Sequence, residues 1–356
     1  MDVEQVPLRF AEHAVDAQTH VNLSAIRPDG ACLWIAGDET ATVERLTADG
    51  TGYGKHATFR LADVVTLPGG PEDEVDVEGL ARHGPYLWAV GSHSSRRKRI
   101  KAKHEGEKAV RRLARVTEEP SRRVVARLAV ADGPDGRPVI VRTTHDGHTS
   151  ALLPGGITGI LADDPHLAPF LAIPGKDNGF DVEGVAVLGE SLYLGLRGPV
   201  LRGWAVLVEL QPQSDKAGDV LELAPLDDDG AVYRTHFLDL DGLGVRDLCP
   251  DGADLLVLAG PSMDLDGPVR VYRWREALDG DAPRVVRAPA LDRELDLPFG
   301  EGDDHAEGIG LLDGRRLLVV YDSPAPARLI TPGTVLADIV PLHGSPRAAS
   351  SSSAAR

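Results

Sequence analysis

Short, nearly continuous apolar runs recur along the whole chain, at 32–36, 86–90, 192–196, 254–258 and 316–320. Apolar runs this short, bounded by turn residues, predict buried strands. Each run follows a polar turn holding a glycine, Gly30, Gly84, Gly189, Gly252 or Gly314, and each turn follows another apolar run. Every such unit reads as a β-hairpin whose glycine supplies the positive backbone torsion a tight turn demands. Strands are also expected at 123–128 and 139–143, with 155–170 irregular or briefly helical. Only 101–116 has sustained helical character, which leaves no set of amphipathic helices for a doubly wound sheet.

The first strands of these hairpins repeat one another. Asp76-Val77-Glu78-Gly79-Leu80-Ala81 returns as Asp181-Val182-Glu183-Gly184-Val185-Ala186 and, altered, as His305-Ala306-Glu307-Gly308-Ile309-Gly310. Weaker copies are Asn22-Leu23-Ser24-Ala25-Ile26-Arg27 and Gly244-Val245-Arg246-Asp247-Leu248-Cys249. A sandwich or jelly roll offers no reason for the same acidic tetrapeptide to return, whereas a ring of copied modules does. The third motif residues, Ser24, Glu78, Glu183, Arg246 and Glu307, are separated by 54, 105, 63 and 61 positions. The long interval predicts a degenerate unit within 115–175, so the expected fold is all-β, a six-bladed β-propeller with one degenerate blade. A single domain over 1–345 is expected, followed by a Ser/Ala-rich disordered tail at 346–356.

Composition agrees with this picture and narrows the partners. Thirty-nine glycines and 26 prolines make frequent turns and few long helices. A net charge of -17 disfavours nucleic acid and anionic membrane, and no apolar run reaches the roughly 18 residues a spanning helix needs. The opening Met1-Asp2-Val3-Glu4-Gln5 has neither a basic segment nor an apolar core for export, which predicts a cytoplasmic protein. Cys32 and Cys249 have no ligand-like spacing and read as buried free thiols.

In such a ring the start of each inner strand and the end of the next strand emerge on one face. That face gathers Glu78, Glu183, Arg246 and Glu307, with Asp76, Asp181 and His305 two residues earlier. The second-strand ends bring Asp38, Glu39, Ser92, His93, Arg197, Ser262, Asp322 and Ser323. Carboxylates from separate modules aimed at one axis repel unless a proton, an arginine or a cation sits among them. A divalent cation satisfies that need, calcium first and magnesium or manganese next, with Glu78, Glu183, Glu307, Asp76 and Asp181 as the metal-ligand set. His93 and His305 are the expected general acid or base, and Arg197 and Arg246 would grip an anion. The same glutamates could instead pair with Arg197 and Arg246 to lock neighbouring modules together. Residues 96–112 hold nine Lys or Arg against Glu105 and Glu107, beside the same face. This basic loop reads as a solvated surface, an attractor for an anionic molecule, or a docking surface for a protein partner; it has no aromatic residue on which a nucleic-acid base could stack.

Asp76-Val77-Glu78-Gly79, Gly91-Ser92-His93-Ser94, Asp181-Val182-Glu183-Gly184 and Gly195-Leu196-Arg197-Gly198-Pro199 resemble the signature of a bacterial family of unknown function, over about residues 20–335. The resemblance implies a propeller related to the phytase-like and esterase-like groups. Phytase-like and gluconolactonase-like relatives hold a divalent ion at the channel mouth and hydrolyse phosphate esters or lactones. Ser24 and Arg246 depart from that pattern where an acid would sit. The resulting expectation is a metal-assisted hydrolase, or a lyase, acting on a small anionic or polyhydroxylated metabolite at the channel mouth. A non-catalytic propeller that binds a protein or a small ligand is the alternative.

Overall fold

A computed structural model describes residues 3–277 and 284–342. Five antiparallel sheets carry the chain. Their inner strands are Leu23–Asp29, Val77–His83, Asp181–Leu188, Gly244–Asp251 and His305–Leu311, the five copies of the repeat. Each pairs with the predicted second strand, and Gly30, Gly84, Gly189, Gly252 and Gly314 turn between them with φ of 52–73°. Two further strands follow in each sheet from the inside outwards, and the third sheet adds another, Val285–Val286, at its outer edge.

The inner strands neighbour one another in a closed circle, first to second through fifth and back to first. Five apolar clusters fill the spaces between successive sheets. Among the described residues this is a β-propeller of five blades, not six. The 105-residue interval contains two insertions rather than a degenerate blade. Val125–Asp132 is the third strand of the second sheet, with Val125 opposite Val90, and Pro138–Val141 is its fourth. The remaining length goes into a flap at 92–124 and a loop at 142–180 built of turns, a short strand Ala151–Leu152 that pairs with Val125–Asp132, and one 3₁₀ segment, Ala168–Phe170. Equal spacing signals equal modules only where connections are short, and here they are not.

The ring is closed by the chain start. Glu4–Arg9 pairs with Thr334–Pro341 as the outer strand of the fifth sheet, and Leu8 meets Tyr53 of the first sheet in parallel register. The helical prediction at 101–116 corresponds to the helix Gly106–Leu113 within the flap. Both cysteines are buried and free. No helix among the described residues is long and apolar enough to cross a membrane. The tail at 346–356 lies outside the described residues.

Candidate functional site

One irregularity is common to all five inner strands. Between Val77 and Gly79 the register against the second strand slips, because Val77 faces Gly91 and Gly79 faces Val90. Glu78 is therefore an extra residue, and the same slip leaves Ser24, Glu183, Arg246 and Glu307 extra in their strands. A β-bulge of this kind re-aims a side chain and bends the strand that carries it. Here Glu78, Glu183 and Glu307 all line one cavity of about 470 Å³ at the mouth of the ring. The glycine after the bulge lets the next blade approach. A Cβ on Gly79 would stand 2.8 Å from Val185, on Gly184 2.9 Å from Leu248, and on Gly308 3.1 Å from Ala25.

The channel beneath is plugged. Arg27 of the first sheet reaches across the axis to both carboxylate oxygens of Asp247 at 2.6 and 2.9 Å, and to the carbonyls of Ile309 and Leu248 at 2.6 Å. Asp247 stands where three other copies have glycine, and it is fully buried. A ligand consequently has the cavity above the plug, rather than a through-channel, as its place.

The mouth carboxylates fall into two groups. Arg197 and Arg246 both donate to Glu183 at 2.9 Å, and Arg246 reaches Glu307 at 3.1 Å. Asp76 is held by Arg122 at 2.5 Å. By contrast, among the described residues no cation lies within ion-pair distance of Asp38, Glu78, Asp181 or Asp322. Asp181 is only 5% exposed, and one oxygen of Asp38 is buried without a hydrogen-bond partner.

The electrostatics follow this division. Burial works to raise Glu183, but the guanidiniums of Arg246 and Arg197 outweigh it and hold the carboxyl below its usual value. Burial and the nearby Glu183 push Asp181 up to about 7; burial and the nearby Asp322 do the same for Asp38. Glu78 is driven well above the carboxylate range by burial and by four neighbouring acids. Glu307 rises to about 8 through burial, with Arg246 opposing, and Asp76 to about 6 through burial, with Arg122 opposing. The mouth thus holds more carboxylate than its arginines neutralise.

Of the residues expected at the mouth from sequence, Asp76, Asp181, Glu78, Glu183, Glu307, Arg197, Asp38, Glu39 and Asp322 line the cavity. The two histidines do not. His93 sits at φ 57° with Nδ1 on the Gly91 carbonyl and its other nitrogen against Gly156, and burial lowers it to about 4. His305 faces Asp266 at 3.2 Å beside a separate small recess with Phe299. Ser262 is likewise absent from the lining. Arg246 is buried behind the cavity, spent on Glu183 and Glu307. Sequence reasoning missed Arg122 and Ser94, which come from the flap insertion. Ser94 donates to the Ser92 hydroxyl at 3.0 Å, and the only sequence signal was the Gly91-Ser92-His93-Ser94 run.

Arginine contacts divide the five residues expected as a ligand set for a cation. Glu183, Glu307 and Asp76 are already engaged by arginines, whereas Asp38, Glu78 and Asp181 are not. Among the described residues no three His, Cys, Asp or Glu side chains are drawn together around one point to hold a metal ion. The unengaged donors are all carboxylate oxygens, which suit a hard cation, and the orphaned oxygen of Asp38 is of the kind such an ion satisfies.

A family model described as "Protein of unknown function (DUF3616)" matches residues 22–338. No curated protein matches the chain. Among solved structures the chain is similar to glutaminyl cyclase of Myxococcus xanthus, at 9% identity, covering 96% of this chain and 99% of that one with a TM-score of 0.42. It is also similar to a streptogramin B lyase, at 9% identity over 95% and 98% with a TM-score of 0.36. A third is a putative glucose dehydrogenase from Thermus thermophilus, at 15% identity over 95% and 99% with a TM-score of 0.38. At these identities and scores the likenesses carry no argument about chemistry.

Proposed function

We propose that this chain, which belongs to the DUF3616 family of proteins of unknown function, is a metal-assisted hydrolase or lyase acting on a small anionic or polyhydroxylated molecule at the propeller mouth. The observation that carries the reading is the set of unengaged carboxylates, Asp38, Glu78 and Asp181, brought from the first, second and third blades to one plugged cavity. Like charges buried together are stable only when a cation or protons join them. Asp38, Glu78 and Asp181, which line the cavity without standing around one point, would have to close on the ion to hold it, calcium first. When bound, it supplies Lewis acidity to a carbonyl or phosphoryl oxygen of the substrate.

The chain's own residues supply the rest. Glu183 fixes the guanidinium of Arg197 at the cavity wall, where it can orient a negative group of the substrate. Lys176 lines the same wall and adds a second positive group. Glu307 is the carboxyl placed to hold or move a proton at the substrate, in place of the two histidines. The plug formed by Arg27 and Asp247 closes the floor and limits water entry from the opposite face.

Metal analysis of the purified protein, with melting followed over a calcium titration, tests this reading. The wild type should carry a divalent ion and gain about 2.7 kcal/mol at a hundredfold excess over Kd. Asp181→Asn and Glu78→Gln should each fold and lose that gain. A wild type without bound ion and without a melting shift would overturn it. One observation favours the non-catalytic alternative: Arg246 joins Glu183 of the third blade to Glu307 of the fifth, a cross-link that serves ring closure by itself.

A further inference from the structure

Between its second and third strands the second blade sends out a flap. Arg96–Arg97 and Val116–Thr117 pair as two short strands, with the helix Gly106–Leu113 between them. Two arginines anchor it over the mouth. Arg97 binds Asp177 at 2.6 Å, and Arg96 reaches Glu74 at 3.4 Å; a contact of Arg96 with Glu119 at 3.7 Å stays within the flap. Arg112 donates to the Arg99 carbonyl at 3.1 Å, which ties the helix back to the strand.

The next two residues are different. Lys98 and Arg99 line the cavity, yet among the described residues no carboxylate stands within ion-pair distance of either. The cavity also contains the carboxylates that lack a cation, Asp38, Glu78 and Asp181. Unpaired cations and unpaired carboxylates therefore line one space of about 470 Å³ without meeting. The anchors on Glu74 and Asp177 hold the flap at that separation. Such a bipolar cavity is suited to a ligand that is negative where it meets the flap and cation-bridged where it meets the acids.

We infer that Lys98 and Arg99 are specificity-determining residues that bind an oxyanion of the ligand, so that the substrate class is the anionic one and not the neutral polyhydroxylated one. This rests on the mouth being the ligand site, as proposed above. A guanidinium donates two parallel hydrogen bonds to a carboxylate or phosphate, and an ammonium adds a point charge. A neutral polyol accepts hydrogen bonds but leaves both charges uncompensated.

Calorimetric binding of inorganic phosphate, acetate and sorbitol to the full chain at fixed ionic strength, with and without calcium, tests the assignment. Wild type should bind phosphate, and the double variant Lys98→Gln/Arg99→Gln should weaken it about tenfold or more, the loss of one or two charge-assisted bonds. The control Lys108→Gln/Arg111→Gln removes the same charge from the outer side of the flap and should stay within about twofold. Comparing phosphate with acetate distinguishes a phosphate-type oxyanion from a carboxylate as the preferred group. Equal losses in both variants, sorbitol bound as tightly as phosphate, or no phosphate binding by wild type would each overturn the inference. Calcium binding measured alone separates the two readings: if the ion fails to bind while phosphate binding stays sensitive to Lys98 and Arg99, the metal fails and the oxyanion assignment stands.

Discussion

At the scale of single residues, buried ion pairs in this protein do two jobs, and Asp338 shows the structural one. Arg328 holds both its oxygens at 2.7 and 2.9 Å, and the Tyr321 hydroxyl donates to it at 2.6 Å. Burial works to raise this carboxyl, but the Arg328 hydrogen bonds outweigh it and the folded value lies below the ordinary one. A group with a depressed folded value contributes stability that is fully present above its unfolded value of about 3.9 and is lost as pH falls through the folded value. Urea unfolding over a pH series should therefore show Asp338→Asn less stable than wild type at pH 7, with the difference shrinking below about pH 4. Parallel curves would assign the loss to packing alone. The mouth carboxylates are the other case, since those without arginines are the candidates for a ligand. Sequence made their identity legible for Asp76, Glu78, Asp181, Glu183 and Glu307, because the repeat marked them. It did not show which of them arginines had already claimed: Arg122 enters from an insertion whose path no local pattern specifies.

At the scale of elements, the bulge and its following glycine decide the geometry. Period-two alternation gives Asp76 and Glu78 the same orientation, but the extra residue interrupts that rule at the motif itself. Hairpin turns were readable because glycine is needed wherever φ is positive. The bulges were not, because they are a property of register between two strands. Gly184 offers a direct test. Its backbone is not in the left-handed region, so alanine there would ordinarily be neutral or mildly stabilising. A Cβ would instead stand 2.9 Å from Leu248 and 3.1 Å from the Asp247 backbone. Gly184→Ala should destabilise the fold by about 1–3 kcal/mol in urea unfolding, through overpacking between the third and fourth blades. An unchanged midpoint would mean that the blades are not held at this distance.

At the scale of the whole molecule, closure depends on the first few residues of the chain. Glu4–Arg9 completes the fifth sheet, and Leu8 is fully buried between the first and last blades. Deleting residues 1–10 should expose the edge strand Thr334–Pro341, lower the melting temperature and promote self-association in size-exclusion chromatography. A truncated chain as stable and monomeric as the parent would show that the ring does not need this seam.

The repeated acidic hairpin alone determined that the protein is all-β, built of copied modules around an axis, with its acidic residues Asp76, Glu78, Asp181, Glu183 and Glu307 at a common mouth. These are local properties: short apolar runs, turn glycines and recurrence are written in neighbouring positions. Only the tertiary structure decided that the modules number five, that Arg27 and Asp247 plug the channel, and that the basic insertion lies over the mouth. Each of these depends on contacts between residues tens to hundreds of positions apart. An insertion and a missing blade lengthen a chain in the same way, and only the pairing of strands tells them apart.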